Sequence, residues 1–275
     1  KTMDADIIIQ EDEMKPILAD YITGLYTTDG ENGLYYHDAD LANGAQDNSY
    51  RYSGANPNNY VCFGSDEETC PEDNLYRIIG VFNGQVKLIK STSYGKYVWE
   101  SDWDTQGNTW DETTKPDIYT TLNTTYYNTL GSEWQSKIAT HSWKVGGMAS
   151  DTSATAKDYY DTEVGTGQSG YEETMKIGLM YVSDYGYGAS EEYWTTELYN
   201  YEPTVDSNWM HLGAYEWLIS RHSSTTSSAF NVYATGCVDY GIVGYTYAVR
   251  PSFYLESDVT YASGSGSMTD PLKIN

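Results

Sequence analysis

An alternation of apolar and polar side chains near the end of the chain restricts the fold more than any other feature of the sequence. Phe230, Val232, Ala234 and Val238 share one parity, which is the period-two pattern of half-buried strands. We therefore expect these side chains to face a core and the opposite parity to face outward. The outward residues are then Asn231, Tyr233, Thr235, Cys237 and Asp239.

Two apolar segments, 209–219 and 248–255, flank the alternating run. Between them, Gly236, Gly241 and Gly244 permit tight reversals of the chain. The pattern predicts hairpins that stand between two buried segments. The expected core residues of the first segment are Trp209, Leu212, Tyr215, Trp217, Leu218 and Ile219.

Segment 218–255 also contains no Lys, Glu, Gln, Met or Trp. These five residue types cannot arise when an Asn or Tyr codon ending in a pyrimidine is randomised at its first two positions. Such a bias would indicate a segment free to vary. The alternative interpretation is that glycine-rich hairpins simply avoid long side chains, and the sequence leaves both open.

Charge excludes two classes of partner. Forty acidic and fifteen basic residues give a formal net charge of −25. We therefore expect no nucleic-acid partner, because recognition of its phosphates needs clustered Lys and Arg. The same charge disfavours anionic membrane surfaces. The 29 Tyr and 8 Trp argue against disorder and are typical of binding surfaces. A Tyr-rich, Asp-rich, Lys-poor composition indicates an extracellular protein.

No apolar segment is long enough to span a bilayer, so we expect no direct membrane insertion. The sequence starts at Lys1 without a Met or a signal peptide, as is typical of a mature or truncated ectodomain. We expect residues 1–26 to be an N-terminal helical segment that follows an anchor outside this sequence. Residues 27–275 then form one ligand-display domain.

Of the three cysteines, Cys62 and Cys70 are close in sequence and separated by an acidic turn. We expect a disulfide between them. A metal site is the rival, but no second cysteine pair or nearby His supports zinc. Cys237 is left over on the expected outward face as a free, exposed thiol.

The strongest local signal is Asn83-Gly84 between 75–81 and 85–90, which predicts a central hairpin. A helix is expected over 7–26, starting as late as Pro16, and another over 120–138, broken at Gly131 with Ser132 as N-cap. The remaining expected elements are strands at 34–37, 143–148, 176–182 and 271–274, a short helix or turn at 183–188, a loop or edge ribbon at 41–59 and a long loop at 99–115.

Few helices, many short strands and long loops indicate an α+β fold. Catalytic and metal-binding motifs are scarce. The four His residues form no H-x-x-x-H pair, so structural roles are expected for them. The acidic pairs Asp38/Asp40, Asp102/Asp104 and Glu191/Glu192 do not match calcium-loop spacing, and nothing in the sequence orients Cys237 with His222 as a thiol–imidazole couple. We expect no cofactor, no metal and no enzymatic activity.

Three segments, 193–198 (YWTTEL), 207–241 and 247–255 (YAVRPSFYL), resemble the C-terminal half of bacterial C-type-lectin-fold surface proteins. In these proteins a Trp-Ser/Thr-Ser/Thr entry is followed by hairpins and closed by a strand with a Val-Arg-Pro motif. Segment 59–90 is also similar to this group, which includes variable proteins of diversity-generating retroelements. The resemblance implies a C-type-lectin-like fold with two or three helices and a ligand-displaying role at the cell surface.

Departures from related families limit what the resemblance implies. The Glu-Pro-Asn and Trp-Asn-Asp motifs of calcium-dependent lectins are missing, because Glu202-Pro203 is followed by Thr204. The paired cysteines of formylglycine-generating enzymes are missing too.

Our functional hypothesis is an adhesin-like or receptor-like protein that binds an unknown protein or glycan. The alternatives are a glycan-processing enzyme that uses Asp102/Asp104 or Glu191/Glu192, and a structural filament subunit. Arg250 is expected to be buried and paired within the fold. The expected ligand-binding residues, all on one solvent-facing patch, are Arg221, His222, Ser224, Thr226, Asn231, Tyr233, Thr235, Cys237, Asp239, Tyr240, Ile242, Tyr245 and Tyr247.

Overall fold

A computed structural model describes residues 15–165 and 170–275 of the chain. The described residues have a mixed α+β architecture in which strands predominate, as the sequence predicted. The α-helices are α1 (Leu18–Thr23), α2 (Asp117–Thr120), α3 (Ser132–Ser136), α4 (Ala156–Glu163) and α5 (Val182–Gly188). None of the helices in these two ranges is long and apolar enough to cross a membrane.

The strands divide between two larger sheets and two ribbons. In chain order they are β1 (Leu34–His37), β2 (Ser49–Tyr52), β3 (Tyr60–Cys62), β4 (Leu75–Phe82), β5 (Gln85–Lys90), β6 (Gly95–Val98), β7 (His141–Lys144), β8 (Glu172–Met175), β9 (Ile177–Gly178), β10 (Glu216–Arg221), β11 (Ser228–Val232), β12 (Val238–Ile242), β13 (Thr246–Val249), β14 (Ser252–Tyr254), β15 (Tyr261–Ser263) and β16 (Lys273–Ile274).

The larger sheet has the order β1-β2-β4-β5-β14-β9, and β3 pairs with β4. Its centre is the predicted β4–β5 hairpin, which turns at Asn83 and Gly84. Both turn residues have positive φ, 50° and 78°, the geometry for which Asn-Gly is favoured in two-residue hairpin loops. The buried strands β4 and β5 place Ile78, Leu88 and Ile89 in the core.

The second sheet has five strands in the order β12-β11-β10-β13-β6. Four of them come from 216–249, the region of alternating side chains. Strand β13 does not pair with β12 as a simple hairpin would. It pairs in parallel with β10 and antiparallel with β6, so the chain crosses over the sheet between Ile242 and Thr246.

Arg250 lies where the chain leaves this sheet and enters the larger one through Pro251 and β14. Its guanidinium is 2% exposed, and its Nε and Nη2 donate to the Glu216 carboxylate at 2.6 and 2.9 Å. Nη2 also donates to the Met210 carbonyl at 2.5 Å. The prediction of a buried, internally paired arginine is confirmed, and the pair ties the two sheets together.

Helix α1 packs into the core that both sheets share. Leu18, Ala19 and Ile22 are buried there, and the Leu18 amide donates to the Val259 carbonyl at 2.8 Å. The helix starts just after Pro16, within the range expected for it, and residues 7–14 lie outside the described residues. The predicted disulfide between Cys62 and Cys70 is confirmed and joins the end of β3 to the acidic loop.

Several predicted elements differ in detail. Instead of two helices, 120–138 contains the end of α2, a π-helical turn at Thr121–Tyr126, a 3₁₀ turn and α3, whose N-cap is Gly131 instead of Ser132. Only Ile177–Gly178 of the predicted strand 176–182 pairs, although 177–182 is buried throughout. The prediction was wrong because a continuous apolar run indicates burial but does not distinguish a strand from another buried segment. Segment 193–198, expected in the scaffold of the resembling family, contains 3₁₀ turns and no strand.

Candidate functional site

The two faces of the five-stranded sheet differ in chemistry. Strand register places Trp217, Asn231 and Asp239 side by side on one face. Glu216, Val232 and Val238 lie side by side on the other, and all three are buried. We call the first the outer face and the second the inner face. The outer face carries Tyr215, Trp217, Asn231, Tyr233, Asp239, Tyr245 and Tyr247.

Tyrosine rings cover the outer face in a continuous layer. Tyr215 lies 5.1 Å from Tyr247 and 5.0 Å from Tyr233, measured between ring centroids. Tyr247 packs on the buried Trp217 at 4.5 Å and lies 6.0 Å from Tyr245. Tyr215 and Tyr245 are 44% and 50% exposed, so the layer presents aromatic surface to solvent.

Asn231 is buried beneath this layer. Its side chain is 0% exposed, and neither its Oδ1 nor its Nδ2 has a hydrogen-bond partner within the described residues. A methyl group built on Gly241 would meet Asn231 Oδ1 at 3.2 Å and the Tyr247 ring at 3.1 Å, so the amide and the ring share the space that this glycine leaves free. The outer face thus has an unsatisfied amide directly under its aromatic cover.

A cleft of about 170 Å³ continues the outer face at the end of the β11–β12 hairpin. The hydroxyl of Tyr233 donates to Asp239 Oδ2 at 3.3 Å. Burial and the Asp239 charge raise the pKa of Tyr233 to about 12, so its hydroxyl is a stable donor. The cleft is lined by Tyr199, Asn200, Glu202, Tyr233, Thr235, Cys237 and Asp239.

Three residues of the alternating run, and His222 before it, differ in exposure from the prediction. Asn231, Cys237 and His222 are buried, whereas Ala234, expected in the core, is exposed. Strand β11 ends at Val232, so strict alternation stops there and Ala234 lies in the turn. Cys237 packs beside Glu202, and burial raises the pKa of its thiol. The prediction of a free, exposed thiol is therefore wrong in its exposure.

The thirteen predicted residues do not form one patch. Tyr240 pairs with Phe230, so it lies on the inner side of β12, where its ring is 4.5 Å from that of His222. Ile242 shares this parity. We expected the chain to reverse at Gly236 and again at Gly241–Gly244. It reverses only at the first position, because β12 and β13 run parallel, and β12 is an edge strand with both sides accessible.

Three more predicted residues lie near the β10–β11 turn. Ser224 and Thr226 are exposed there, and Asn108 holds the turn by donating to the carbonyls of His222, Thr225 and Ser228. Arg221 donates from Nε to the Val145 carbonyl at 3.1 Å. The structure therefore brings together Asn231, Tyr233, Thr235, Cys237, Asp239, Tyr245 and Tyr247, and separates Arg221, His222, Ser224, Thr226, Tyr240 and Ile242 from them.

Sequence reasoning missed two residues of the site. Tyr215 was expected in the core, but it has the parity of Trp217 and precedes the buried Glu216, so extending the alternation across Glu216 would have placed it on the outer face. Tyr199, 44% exposed at the cleft, comes from the 3₁₀ turn at Leu198–Asn200. No local pattern points to it.

The residues considered for catalysis are two acidic pairs and Cys237 with His222. Asp102, Asp104, Glu191 and Glu192 are all exposed, and His222 Nδ1 contacts Ser224 N and Thr225 Oγ1 instead of Cys237. Among residues 15–165 and 170–275, no three His, Cys, Asp or Glu side chains are grouped so that they could hold a metal ion.

The whole chain was also compared with known proteins. Comparison with protein-family models, with curated proteins and with solved structures gave no match.

Proposed function

We propose that this chain is a ligand-binding protein of the bacterial cell surface, with an adhesin-like or receptor-like role, and that the outer face contacts the ligand. One observation carries the proposal: the exposed tyrosine layer that rests on Trp217. Tyrosine combines rigid contact area at low entropic cost with a hydroxyl that forms hydrogen bonds, and it is enriched in evolved binding surfaces.

Asn231 supports the same assignment. A buried polar group without a partner costs about 1–3 kcal/mol, and such groups in native proteins need an explanation other than packing. A ligand that displaces the Tyr247 ring would give the amide its missing partners. The unsatisfied amide then belongs to the unbound state of a binding surface.

Charge narrows the chemistry of the ligand. The cleft carries Asp239 and Glu202, and the chain as a whole has a formal net charge of −25. Since no Lys or Arg is among the residues that line this cleft, strongly anionic ligands are repelled there. A neutral or cationic protein surface or a neutral glycan fits better, recognised by stacking on Tyr215 and Tyr245 and by hydrogen bonds to Tyr233 and Thr235.

A C-type-lectin-like fold and diversification by a retroelement are part of the proposal. The fold part rests on the resemblance of segments 193–198, 207–241 and 247–255. Diversification is supported by segment 218–255, which lacks five residue types and contains all of β11, β12 and β13, and with them most of the outer face. A second, near-identical copy of this segment in the same genome, differing at adenine-containing codons, would establish diversification. A genome with a single copy of this segment would refute diversification and would leave the binding proposal unchanged.

The binding proposal is tested on arrays of glycans and of extracellular proteins. We expect the chain to bind a small set of spots, and the bound molecules to be recovered unchanged. A variant with Tyr215, Tyr233, Thr235, Asp239 and Tyr245 replaced by Ser should remain folded and lose those spots. The matched control, Tyr240→Ser with Met268→Ser, changes exposed residues elsewhere and should keep them. Cleaved products would favour the glycan-processing alternative, and retention by the five-residue variant would refute the outer-face assignment.

A further inference from the structure

A cavity of about 350 Å³ lies apart from the outer face, where the open end of the β4–β5 hairpin meets segment 126–131. Its volume is at the lower end of the range for small-molecule sites. The walls combine aromatic rings with buried polar groups, among them Tyr76, Lys90, Tyr94 and Tyr126. Such convergence of polar groups in a half-enclosed space is typical of a ligand site.

Lys90 is the group in this cavity whose charge is least compensated. It is 5% exposed, and an ammonium has three donors. Among the described residues its hydrogen bond goes to the Asp73 carbonyl at 2.6 Å. The Asp73 carboxylate is 3.9 Å away and 99% exposed. Burial lowers the pKa of Lys90 in spite of the attraction of Asp73 and Glu72, and buried charges are normally paired.

The ring of the buried Tyr76 lies beside this ammonium, with its centroid 5.6 Å from Lys90 Nζ, and a second buried phenol, Tyr126, contacts Tyr76. Tyr76 and Lys90 are register partners on β4 and β5, and the Tyr76 hydroxyl lies 2.5 Å from that of Tyr126. Burial raises the pKa of Tyr76 to about 12 and that of Tyr126 well above its ordinary value, so both stay protonated. One of the two hydroxyl protons forms the hydrogen bond between the two oxygens, so the other O–H is free to donate.

We propose that this cavity binds a small carboxylate attached to a compact ring, with one carboxylate oxygen on Lys90 Nζ and the other on the Tyr76–Tyr126 hydroxyl pair. The half-buried ring of Tyr94, 5.1 Å from Tyr126, gives the ring of the ligand a surface to stack on. A carboxylate supplies the two acceptors that an ammonium and a phenol together require. The site is independent of the outer face, since it shares no residue with it.

The test uses the full chain and two matched pairs of probes: benzoate with benzamide, and glucuronate with glucose. Amide NMR shifts at Tyr94, Thr129 and Gly131 report occupancy at millimolar ligand. We expect at least one acid to shift these resonances and its neutral partner to leave them unchanged. Lys90→Met should weaken binding about tenfold or more. The double variant Tyr76→Phe/Tyr126→Phe removes both hydroxyls together, leaves neither one unpaired, and should also weaken binding.

The control is Lys96→Met, which removes an exposed lysine on the neighbouring β6 and should bind as the parent chain does. If Lys90→Met fails to fold, Tyr76→Phe/Tyr126→Phe still decides the question. The proposal is overturned if neither acid shifts the three resonances, if the neutral partner binds equally, or if Tyr76→Phe/Tyr126→Phe and a folded Lys90→Met bind as tightly as the parent.

Discussion

The inner and outer faces of the five-stranded sheet are built from the same strands but hold different kinds of residue. The inner face buries Phe230, Val232 and Val238 and the Glu216–Arg250 ion pair. The outer face carries a tyrosine layer with an unsatisfied amide beneath it. Residues of the inner face are packed in the core, whereas the exposed rings of the outer face make few core contacts, so we expect that they can change without unfolding the sheet. We therefore predict that substitutions on the inner face lower stability, whereas substitutions of exposed residues on the outer face lower ligand binding.

The largest expected effect comes from the inner face. Arg250→Met leaves the Glu216 carboxylate buried without its partner and should lower the free energy of unfolding by about 3–5 kcal/mol. Urea denaturation measures it. The double variant Arg250→Met/Glu216→Gln removes the stranded charge and should recover a large part of the loss. A loss of less than about 1 kcal/mol in the single variant would show that the pair does not hold the sheets together.

Glu163 gives a second test of the inner side, in which stability is measured as a function of pH. Its carboxylate accepts from the Val182 amide at 2.9 Å, from the Ser183 amide and hydroxyl at 3.0 and 2.9 Å, and from the Ser220 hydroxyl of β10. Burial, with a smaller contribution from the Asp184 charge, raises its pKa from 4.5 to about 7. Between about pH 4.5 and pH 7, the Glu163 carboxyl is therefore protonated in the folded state and ionised in the unfolded state.

The sign of the pH effect follows from this pKa. The stabilising contribution is complete below pH 4.5 and is lost as the pH rises through 7, with a maximum of about 3 kcal/mol. Glu163→Gln cannot titrate, so the difference in stability between the parent chain and this variant should shift against the parent from pH 5 to pH 8. Thermal unfolding across that range is the measurement, and a constant difference would contradict the raised pKa.

Asn231 should show the opposite sign of stability change. Asn231→Val removes two unpaired polar atoms and adds a residue suited to a strand, so we expect stability to rise by about 1 kcal/mol. Ligand capture should fall in the same variant. Denaturation and array binding on one preparation give both numbers. Destabilisation would mean that the amide has partners in the native state, and unchanged capture would remove it from the site.

The two faces of the sheet also differ in how well the sequence predicts them, and features that depend on local chemistry are predicted best. The Asn83-Gly84 turn, the Cys62–Cys70 disulfide and buried Arg250 depend on local chemistry, and all three are confirmed. Parity correctly placed Phe230 and Val232 inside. Tyr240 has the same parity and lies on the same inner side; its expected place on the outward patch was wrong, because it is exposed on an edge strand and does not face outward. Parity could not foresee that Asn231 faces outward yet is covered by Tyr247, 16 residues along the chain (247 − 231).

The most direct test of the outer face is a matched pair of tyrosines with the smallest expected effect on stability. Tyr215 on the outer face is 44% exposed and Tyr240 on the inner side of β12 is 40% exposed. Replacing either by Ser should change the free energy of unfolding by no more than about 0.5 kcal/mol. Binding to the strongest array ligand is then measured for both variants. We predict that Tyr215→Ser weakens binding about tenfold or more and Tyr240→Ser leaves it unchanged. Equal affinities, or a loss confined to Tyr240→Ser, would contradict the account.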